Sequence, residues 1–315
     1  MDAVIVIEDM LYATIAAGTV LLLACIGEIL TEKSGVLNLG LEGIMILGAV
    51  VAFMAVQATG SLVLGIALSL AAGAMMGMIH ALISVTLKAS QVVSGLALTF
   101  FGLGLANFLG KDYVGMTRMA SLEVLPIPWL SEIPIIGKAL FSHSILVYVS
   151  FLLVPIAWFW IYRTRQGLKL RSVGENPGSA DALGINVFGI RYAYTMIGGA
   201  LVGLAGAYLS LGYNGTWMDT ITSGQGWIAV ALVIFATWNP VKSMFGSYLF
   251  GLILILGPRL QAYGVQIPTT LFAMLPYILT IIVLIISTGN FRKSKKIRQI
   301  APNSLGVPYD REARH

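Results

Sequence analysis

The sequence predicts an all-α membrane protein that crosses the bilayer about nine times. Of its 315 residues, 57% are hydrophobic and 10% are charged, whereas soluble domains carry about 25% charged residues. Apolar runs recur at lengths near the roughly 20 residues that a helix needs to cross a bilayer. The alternating ten-residue segments typical of a membrane barrel do not occur in the sequence. Helices are therefore expected, since a helix satisfies its own backbone hydrogen bonds in lipid.

The apolar runs divide the first 290 residues into nine segments, namely 11–31, 37–57, 61–87, 91–109, 142–162, 192–213, 226–238, 244–262 and 267–288. Two of them, 37–57 and 226–238, are expected to be either full crossings or partly re-entrant. Residues 1–290 thus form one transmembrane domain. Residues 291–315 form a basic tail, which is expected to be disordered beyond its first basic cluster.

The distribution of basic residues predicts which ends of the segments face the cytoplasm. An odd number of crossings places the two termini on opposite sides, and cytoplasmic loops are enriched in lysine and arginine. With the tail in the cytoplasm, the only basic residues outside, of 19 in the chain, are Lys111, Arg118, Lys138 and Arg259. The acidic N-terminus then faces outward. Because topology explains the net charge of +5, this charge does not predict binding to nucleic acid.

Motifs that would make the chain an enzyme are absent from the sequence. Gly110-Lys111 and Gly137-Lys138 lack the upstream glycine of a phosphate-binding loop, and no HExxH, GxSxG or paired-carboxylate arrangement occurs. The single cysteine, Cys25, excludes a disulfide framework and a cysteine-based metal cluster. We therefore expect no catalytic residue, no metal site and no cofactor held by this chain.

The segment from Arg163 to Arg191 is the one long polar interruption in the middle of the chain. Within it, Val173 to Ile185 carries helix signals, because Pro177 suits a first turn and Gly184 suits the end of a helix. A short helix on the cytoplasmic side of a membrane protein is a natural docking element for a soluble partner.

Polar side chains inside the apolar segments are candidates for a substrate pathway, since ionisable groups in a span usually face a cavity or a partner. Asn38 and Glu42 lie one helical turn apart on one face, and local capping or pairing is the alternative for both. Glu28 is expected to reach the cytoplasmic surface. His80 is expected to form hydrogen bonds between helices.

The fourth segment, 91–109, combines amides with aromatic rings. Its residues Phe101 and Asn107 could hold a planar polar ligand by stacking and hydrogen bonding, and packing within the protein is the alternative. With Asn38 and Glu42, these two complete the set of candidate substrate-pathway residues.

A weak internal repeat links the two halves of the chain. Leu41–Ile44, at the start of the second segment, resembles Gly224–Trp227 at the start of the seventh, and Ala89–Ser94 resembles Gly264–Thr269. In the predicted orientation, the members of each pair lie on opposite faces of the membrane. That is the pattern of an inverted repeat, from which transporters build a central pathway.

Three blocks of the sequence resemble a known family. They are Glu32–Gly43, Gly174–Ile185, and Ile228–Leu232 together with Trp238–Pro240 and Leu249–Gly251. The chain is similar in these blocks to the permease subunits of bacterial ABC importers for branched-chain amino acids, ribose-type sugars and nucleosides. The first block most resembles the nucleoside branch, whose partners include a basic-membrane-protein-like lipoprotein, and the second is shared with sugar permeases.

The resemblance implies a type II-like ABC importer permease in the cell membrane, with residues 1–290 as permease domain and 163–191 as cytoplasmic coupling loop. Such a permease pairs, within membrane lipid, with a second permease (a paralogue or another copy) over two ATP-binding cassette subunits. An extracytoplasmic substrate-binding lipoprotein delivers the substrate, and ATP is bound by the partner subunit. The residues that would couple to the ATPase are Gly174, Glu175, Asn176, Pro177, Ala180, Gly184 and Ile185.

By the same resemblance, the expected substrates are purine nucleosides such as guanosine, and ribose or another simple sugar is the alternative. Two further classes stay open. A proton-coupled secondary transporter would use Glu28 or Glu42 as its proton carrier. A membrane scaffold or receptor would transport nothing.

Overall fold

The computed structural model of the protein describes residues 3–262, 264, 268, 271–272, 274–282, 285 and 301–311. Within them the chain forms the helices α1 (Ala3–Lys33), α2 (Leu41–Thr59), α3 (Leu62–Ala81), α4 (Gln91–Gly110), α5 (Ile136–Phe141), α6 (Ile145–Arg163), α7 (Arg165–Glu175), α8 (Pro177–Ala182), α9 (Val187–Tyr208), α10 (Gln225–Phe235) and α11 (Pro240–Ala262). Two short strands, β1 (Val124–Pro126) and β2 (Ser142–Ser144), pair antiparallel with Val124 opposite Ser144. π-helical turns at Leu82–Thr86 and Leu209–Asn214 continue α3 and α9.

Seven of the described helices are long and apolar enough to cross a membrane, namely α1, α2, α3, α4, α6, α9 and α11. This confirms the prediction of a multi-pass, all-α membrane protein. Helix α10 has 11 residues and is about 16 Å long, half of the ~30 Å hydrocarbon core, so segment 226–238 contains a half-length helix. The predicted segment 267–288 lies partly outside the described residues, and the number nine stays a prediction.

Helices α1, α2 and α9 are the most buried of the seven, and glycines bring them close to their neighbours. Gly199 of α9 meets Gly73 of α3 so closely that a β-carbon on either would strike the backbone of the other. A β-carbon on Gly48 of α2 would likewise strike the backbone of Gly203 of α9. Small residues are needed here because helices in lipid associate through close packing rather than through the hydrophobic effect.

The bundle has two structurally different ends. Helices α7 and α8 and the C-terminus of α1 lie at one end, which we call the near end, where Gly174 packs directly against the backbone carbonyl of Lys33. The strands, α5 and the N-terminus of α1 lie at the opposite, far end. There the Lys138 ammonium group donates to the Asp9 carboxylate over 2.7 Å and ties α5 to α1.

Candidate functional site

A non-helical segment, Val36–Gly40, connects α1 to α2 within the protein interior. Side chains from the surrounding helices satisfy its backbone. The Leu37 N–H donates to Gln91 Oε1 over 2.7 Å, and the Leu37 carbonyl accepts from His80 Nε2 over 3.0 Å. Because a carbonyl can only accept, Nε2 carries the ring hydrogen and Nδ1 accepts from the Ser94 hydroxyl, 3.0 Å away. His80 thus forms the predicted bonds between helices.

The rest of this segment is held in the same way. The Asn38 N–H donates to Glu28 Oε1 over 3.1 Å, and the Leu39 carbonyl accepts from the Thr99 hydroxyl over 3.0 Å. The Asn38 side-chain oxygen accepts from the Gly40 N–H over 2.8 Å. Irregular backbone at membrane depth is tolerated only where protein groups satisfy it. These side chains therefore allow the helical path to be interrupted here.

Glu28 does not reach the surface as the sequence predicted. Its side chain is 1% exposed, because the carboxylate turns inward to bind the backbone of the interrupted segment. The sequence could not show this bond, since Asn38 approaches Glu28 only after the chain has turned back beyond α1.

Glu42 joins the N-terminus of α2 to the N-terminus of α10. Its Oε1 accepts from the Thr222 hydroxyl over 2.6 Å and from the Gly224 N–H over 2.9 Å, and its Oε2 accepts from the Gly226 N–H over 2.7 Å. Helix α10 begins without a side-chain cap from its own N-cap residue. A carboxylate from another helix therefore satisfies its first N–H groups and complements the positive end of its dipole.

Helices α2 and α10 run in opposite directions from this junction. Gln57, near the end of α2, donates to the Thr117 carbonyl at the far end over 2.8 Å. Trp238, just beyond α10, donates its indole N–H to Glu32 at the near end. The matching blocks Leu41–Ile44 and Gly224–Trp227 thus meet as an antiparallel pair, as an inverted repeat requires. The other proposed partner block, 264–269, lies mostly outside the described residues.

The four predicted substrate-pathway residues do not form one cluster. Asn38 and Glu42 are buried at the junction, with 1% and 5% of their surface exposed. Phe101 is 53% exposed and Asn107 is also exposed, both on α4. The buried face of α4 packs instead against α2, where Gly102 touches the backbone of Gly43. A role of the four in substrate transfer stays a prediction.

The predicted polar interruption folds into two helices at the near end, α7 and α8. Asn176 caps α8, because its Oδ1 accepts from the Ser179 N–H over 2.9 Å, and Pro177 takes the first-turn position that its sequence predicted. Gly184 follows with a φ of +77°, a backbone conformation that favours glycine at a helix end. Leu183 is 81% exposed at the tip. The helix is therefore capped at both ends and presents an apolar side chain outward.

The seven predicted coupling residues all lie on or beside α8, in different environments. Glu175, Asn176 and Gly184 are exposed, whereas Gly174 and Ala180 are buried. Pro177 and Ile185 are half-buried. Two of the seven thus hold the helix in place while the others reach its accessible surface.

A segment near the C-terminus, residues 301–311, packs against these helices, and we call it the C-terminal strap. The expectation of disorder is wrong for this part of the tail. The Ser304 N–H and hydroxyl donate to the Gly174 carbonyl over 3.0 and 2.7 Å. Arg191, fully buried in α9, donates to the Ser304 hydroxyl and the Val307 carbonyl, each over 3.2 Å. No local sequence pattern indicated that this segment would be ordered, because each contact joins residues more than 100 positions apart.

Ion pairs secure the outer part of the strap. Arg311 donates to both oxygens of Asp181 on α8, over 2.5 and 2.6 Å, and Tyr309 donates to the same carboxylate over 3.1 Å. The Arg311 guanidinium lowers the pKa of Asp181 below its usual range. Asp310 pairs with Lys88, in the connection between α3 and α4, over 2.8 Å. The strap therefore links α8 to the α3–α4 connection.

Comparison with known proteins shows what kind of protein this is. Residues 10–284 match the model of a family described as branched-chain amino acid transport system / permease component. The chain belongs to this permease family. That result agrees with the resemblance of the Glu32–Gly43 and Gly174–Ile185 blocks.

Three relatives align with the permease over nearly its whole length. "Putative glucose ABC transporter permease protein TsgC13" of Haloferax volcanii is 38% identical and covers 96% of this chain and 98% of its own. The nucleoside ABC transporter permease protein NupC of Lactococcus lactis is 36% identical, covering 92% and 93%. The guanosine ABC transporter permease protein NupQ of Bacillus subtilis is 35% identical, covering 98% of both.

Replacing Glu42 should destabilise the permease. In Glu42→Ala, two backbone N–H groups and the Thr222 hydroxyl lose their acceptor in the protein interior, which should lower the free energy of unfolding by about 3 kcal/mol. Glu42→Gln retains one side-chain oxygen and should lose less. Thermal unfolding of the detergent-purified protein measures both, and equal melting temperatures for Glu42→Ala and the unmodified protein would contradict the structural role.

A charge exchange should test the strap. Asp181→Arg places like charges opposite Arg311, and we expect amide hydrogen exchange in residues 301–311 to become roughly two- to five-fold faster, because an exposed ion pair makes only a modest contribution to stability. Combining it with Arg311→Asp reverses the pair and should restore slow exchange. If the double variant exchanges as fast as the single one, this ion pair does not hold the strap.

Proposed function

We propose that this permease is the membrane-spanning subunit of an ABC importer for nucleosides, with purine nucleosides such as guanosine as its substrates. The observation that carries the proposal is the nearly full-length similarity to two permeases named for nucleosides and guanosine. A simple sugar is the second candidate, because another relative of similar coverage is named for glucose.

Energy for transport would come from a partner ATPase, and the tip of α8 would be the docking point. The capped helix, its exposed Leu183 and the left-handed Gly184 support this assignment. A short rigid element of this kind moves as a unit when its partner closes. The complete importer would hold two ATP-binding cassette subunits, a second permease and an extracytoplasmic lipoprotein, with the N-terminus of this chain outside and its C-terminus in the cytoplasm.

The second permease would complete the substrate pathway. Phe101 and Asn107 lie on the accessible face of α4, so they could meet substrate only beside another subunit or at the protein surface. Asn38 and Glu42 would shape the pathway from the junction of α2 and α10. Glu28 and Glu42 already accept hydrogen bonds from the backbone, which favours a structural role for both over that of a proton carrier.

Uptake by the reconstituted importer tests the substrate and the energy source together. Liposomes containing the permease with its ATPase, second permease and lipoprotein should accumulate labelled guanosine when ATP is inside. Omission of the ATPase should abolish accumulation, whereas an uncoupler of proton gradients should not. Uptake of glucose without nucleosides would overturn the substrate, and ATP-independent uptake that collapses with the gradient would favour a secondary transporter.

Leu183→Asp should separate docking from folding. A charge at the exposed tip should weaken the apolar contact with the ATPase and reduce uptake about tenfold or more, whereas membrane insertion should be unaffected because the side chain is 81% exposed. Val114→Asp is the matched control, since Val114 is an exposed apolar residue at the far end, 51% exposed. Co-purification of the ATPase with each variant provides the measurement, and normal uptake by Leu183→Asp would remove α8 as the docking point.

A further inference from the structure

A cavity of about 420 Å³ opens at the far end of the bundle, between α1, the π-helical turn after α9, and α11. Aromatic and basic side chains line it, chiefly Tyr12, Arg118, His143, Tyr208, Tyr213 and Arg259. Its volume is within the range of 300 to 1,000 Å³ that is usual for small-molecule sites. The cavity lies on the side from which the proposed importer would receive its substrate.

Two of the polar side chains that line the cavity, Arg118 and Arg259, can only donate hydrogen bonds, whereas its tyrosine and serine hydroxyls can donate or accept. Arg259 and Tyr208 both line the cavity, and Tyr208 is only 3% exposed. Arg118 donates one hydrogen bond to the Leu211 carbonyl, over 2.6 Å. No aspartate or glutamate is among the described residues that line the cavity. The site therefore suits a ligand that is rich in acceptors.

Aromatic rings line the cavity beside these polar groups. The rings of Tyr12 and His143 stack with their centres 4.4 Å apart and their planes 4° from parallel, and Tyr213 lies on the same cavity. Aromatic side chains bind nucleic-acid bases by stacking, because every base has a π-face. A sugar has no π-face of its own and contacts an aromatic ring only through its C–H groups. The lining thus favours a purine over a hexose.

The far-end cavity adjoins a second one that reaches the junction of α2 and α10. This second cavity measures about 310 Å³ and shares Leu254 and Pro258 with the first. It ends at Ser223 and at Tyr277, whose hydroxyl lies against Gly224 at the start of α10. The two cavities are therefore neighbours, and the second is lined by Ser223, which precedes α10.

We infer that the far-end cavity is a binding subsite for the base of a 6-oxopurine nucleoside, in which Arg259 donates to the neighbouring O6 and N7 acceptors. Arginine recognises this acceptor pair in guanine with two hydrogen bonds. The inference rests on the proposed nucleoside transport and specifies which part of the substrate the cavity recognises. It identifies Arg259 as a specificity-determining residue.

Inosine and adenosine test this subsite, because they differ only in the group at position 6 of the purine and in the hydrogen on the adjacent N1. The reconstituted importer should prefer inosine. Arg259→Gln should lower the ratio of inosine to adenosine uptake, measured as kcat/KM, by about tenfold, since glutamine pairs with the N6 and N7 groups of adenine. The lipoprotein is the same in every sample, so its own preference cancels when variants are compared. Lys111→Gln removes an exposed far-end charge that does not line the cavity and should leave the ratio unchanged.

The outcomes separate the inference from the proposed function. If the unmodified importer transports none of guanosine, inosine and adenosine, the proposed function fails. If it transports inosine and adenosine and Arg259→Gln leaves the ratio unchanged, the cavity is not the subsite. Should Arg259→Gln not reach the membrane, Tyr213→Cys provides a second measurement, because the native Cys25 is buried. Inosine should slow labelling of that new cysteine by a thiol reagent, and labelling at an unchanged rate would overturn the inference.

Discussion

The carboxylate of Glu42 is the contact on which the interior of this permease depends. A helix that starts inside a bilayer leaves backbone N–H groups that lipid cannot satisfy. Glu42 supplies the acceptors for α10 from a helix that starts at the same place and runs the other way. The cost of an unpaired polar backbone therefore holds the two halves of the inverted repeat together.

Helix α1 contacts the chain on either side of this junction, before α2 and after α10. Glu28 holds the backbone before α2, and Glu32, one turn further along the same face, accepts from Trp238 just beyond α10. The end of α1 then meets Gly174, where the backbone of Lys33 leaves no space for a side chain. Contacts of α1 thus connect Gly174 in α7 to the segment before α2 and to Trp238 just beyond α10. Packed elements of this kind transmit rigid-body motion because they cannot deform gradually.

The C-terminal strap adds a second connection at the near end. Ser304 of the strap joins Gly174 to the buried Arg191. Arg311 pairs with Asp181 on α8, and Asp310 reaches Lys88 between α3 and α4. A buried arginine is stable only when its donors find acceptors, and the strap provides two. The position of α8 therefore depends on residues more than 100 positions further along the sequence.

The sequence by itself determined the features that arise from local composition. Apolar runs of sufficient length predicted the membrane helices, and Pro177 and Gly184 predicted the limits of α8, because each acts through its own backbone. The tertiary structure alone decided the partners of Glu42, the burial of Glu28, the order of the strap and the cavity at Arg259. Each of these depends on contacts between residues far apart in the chain, and no local pattern records which distant group will satisfy a buried charge or an unpaired N–H.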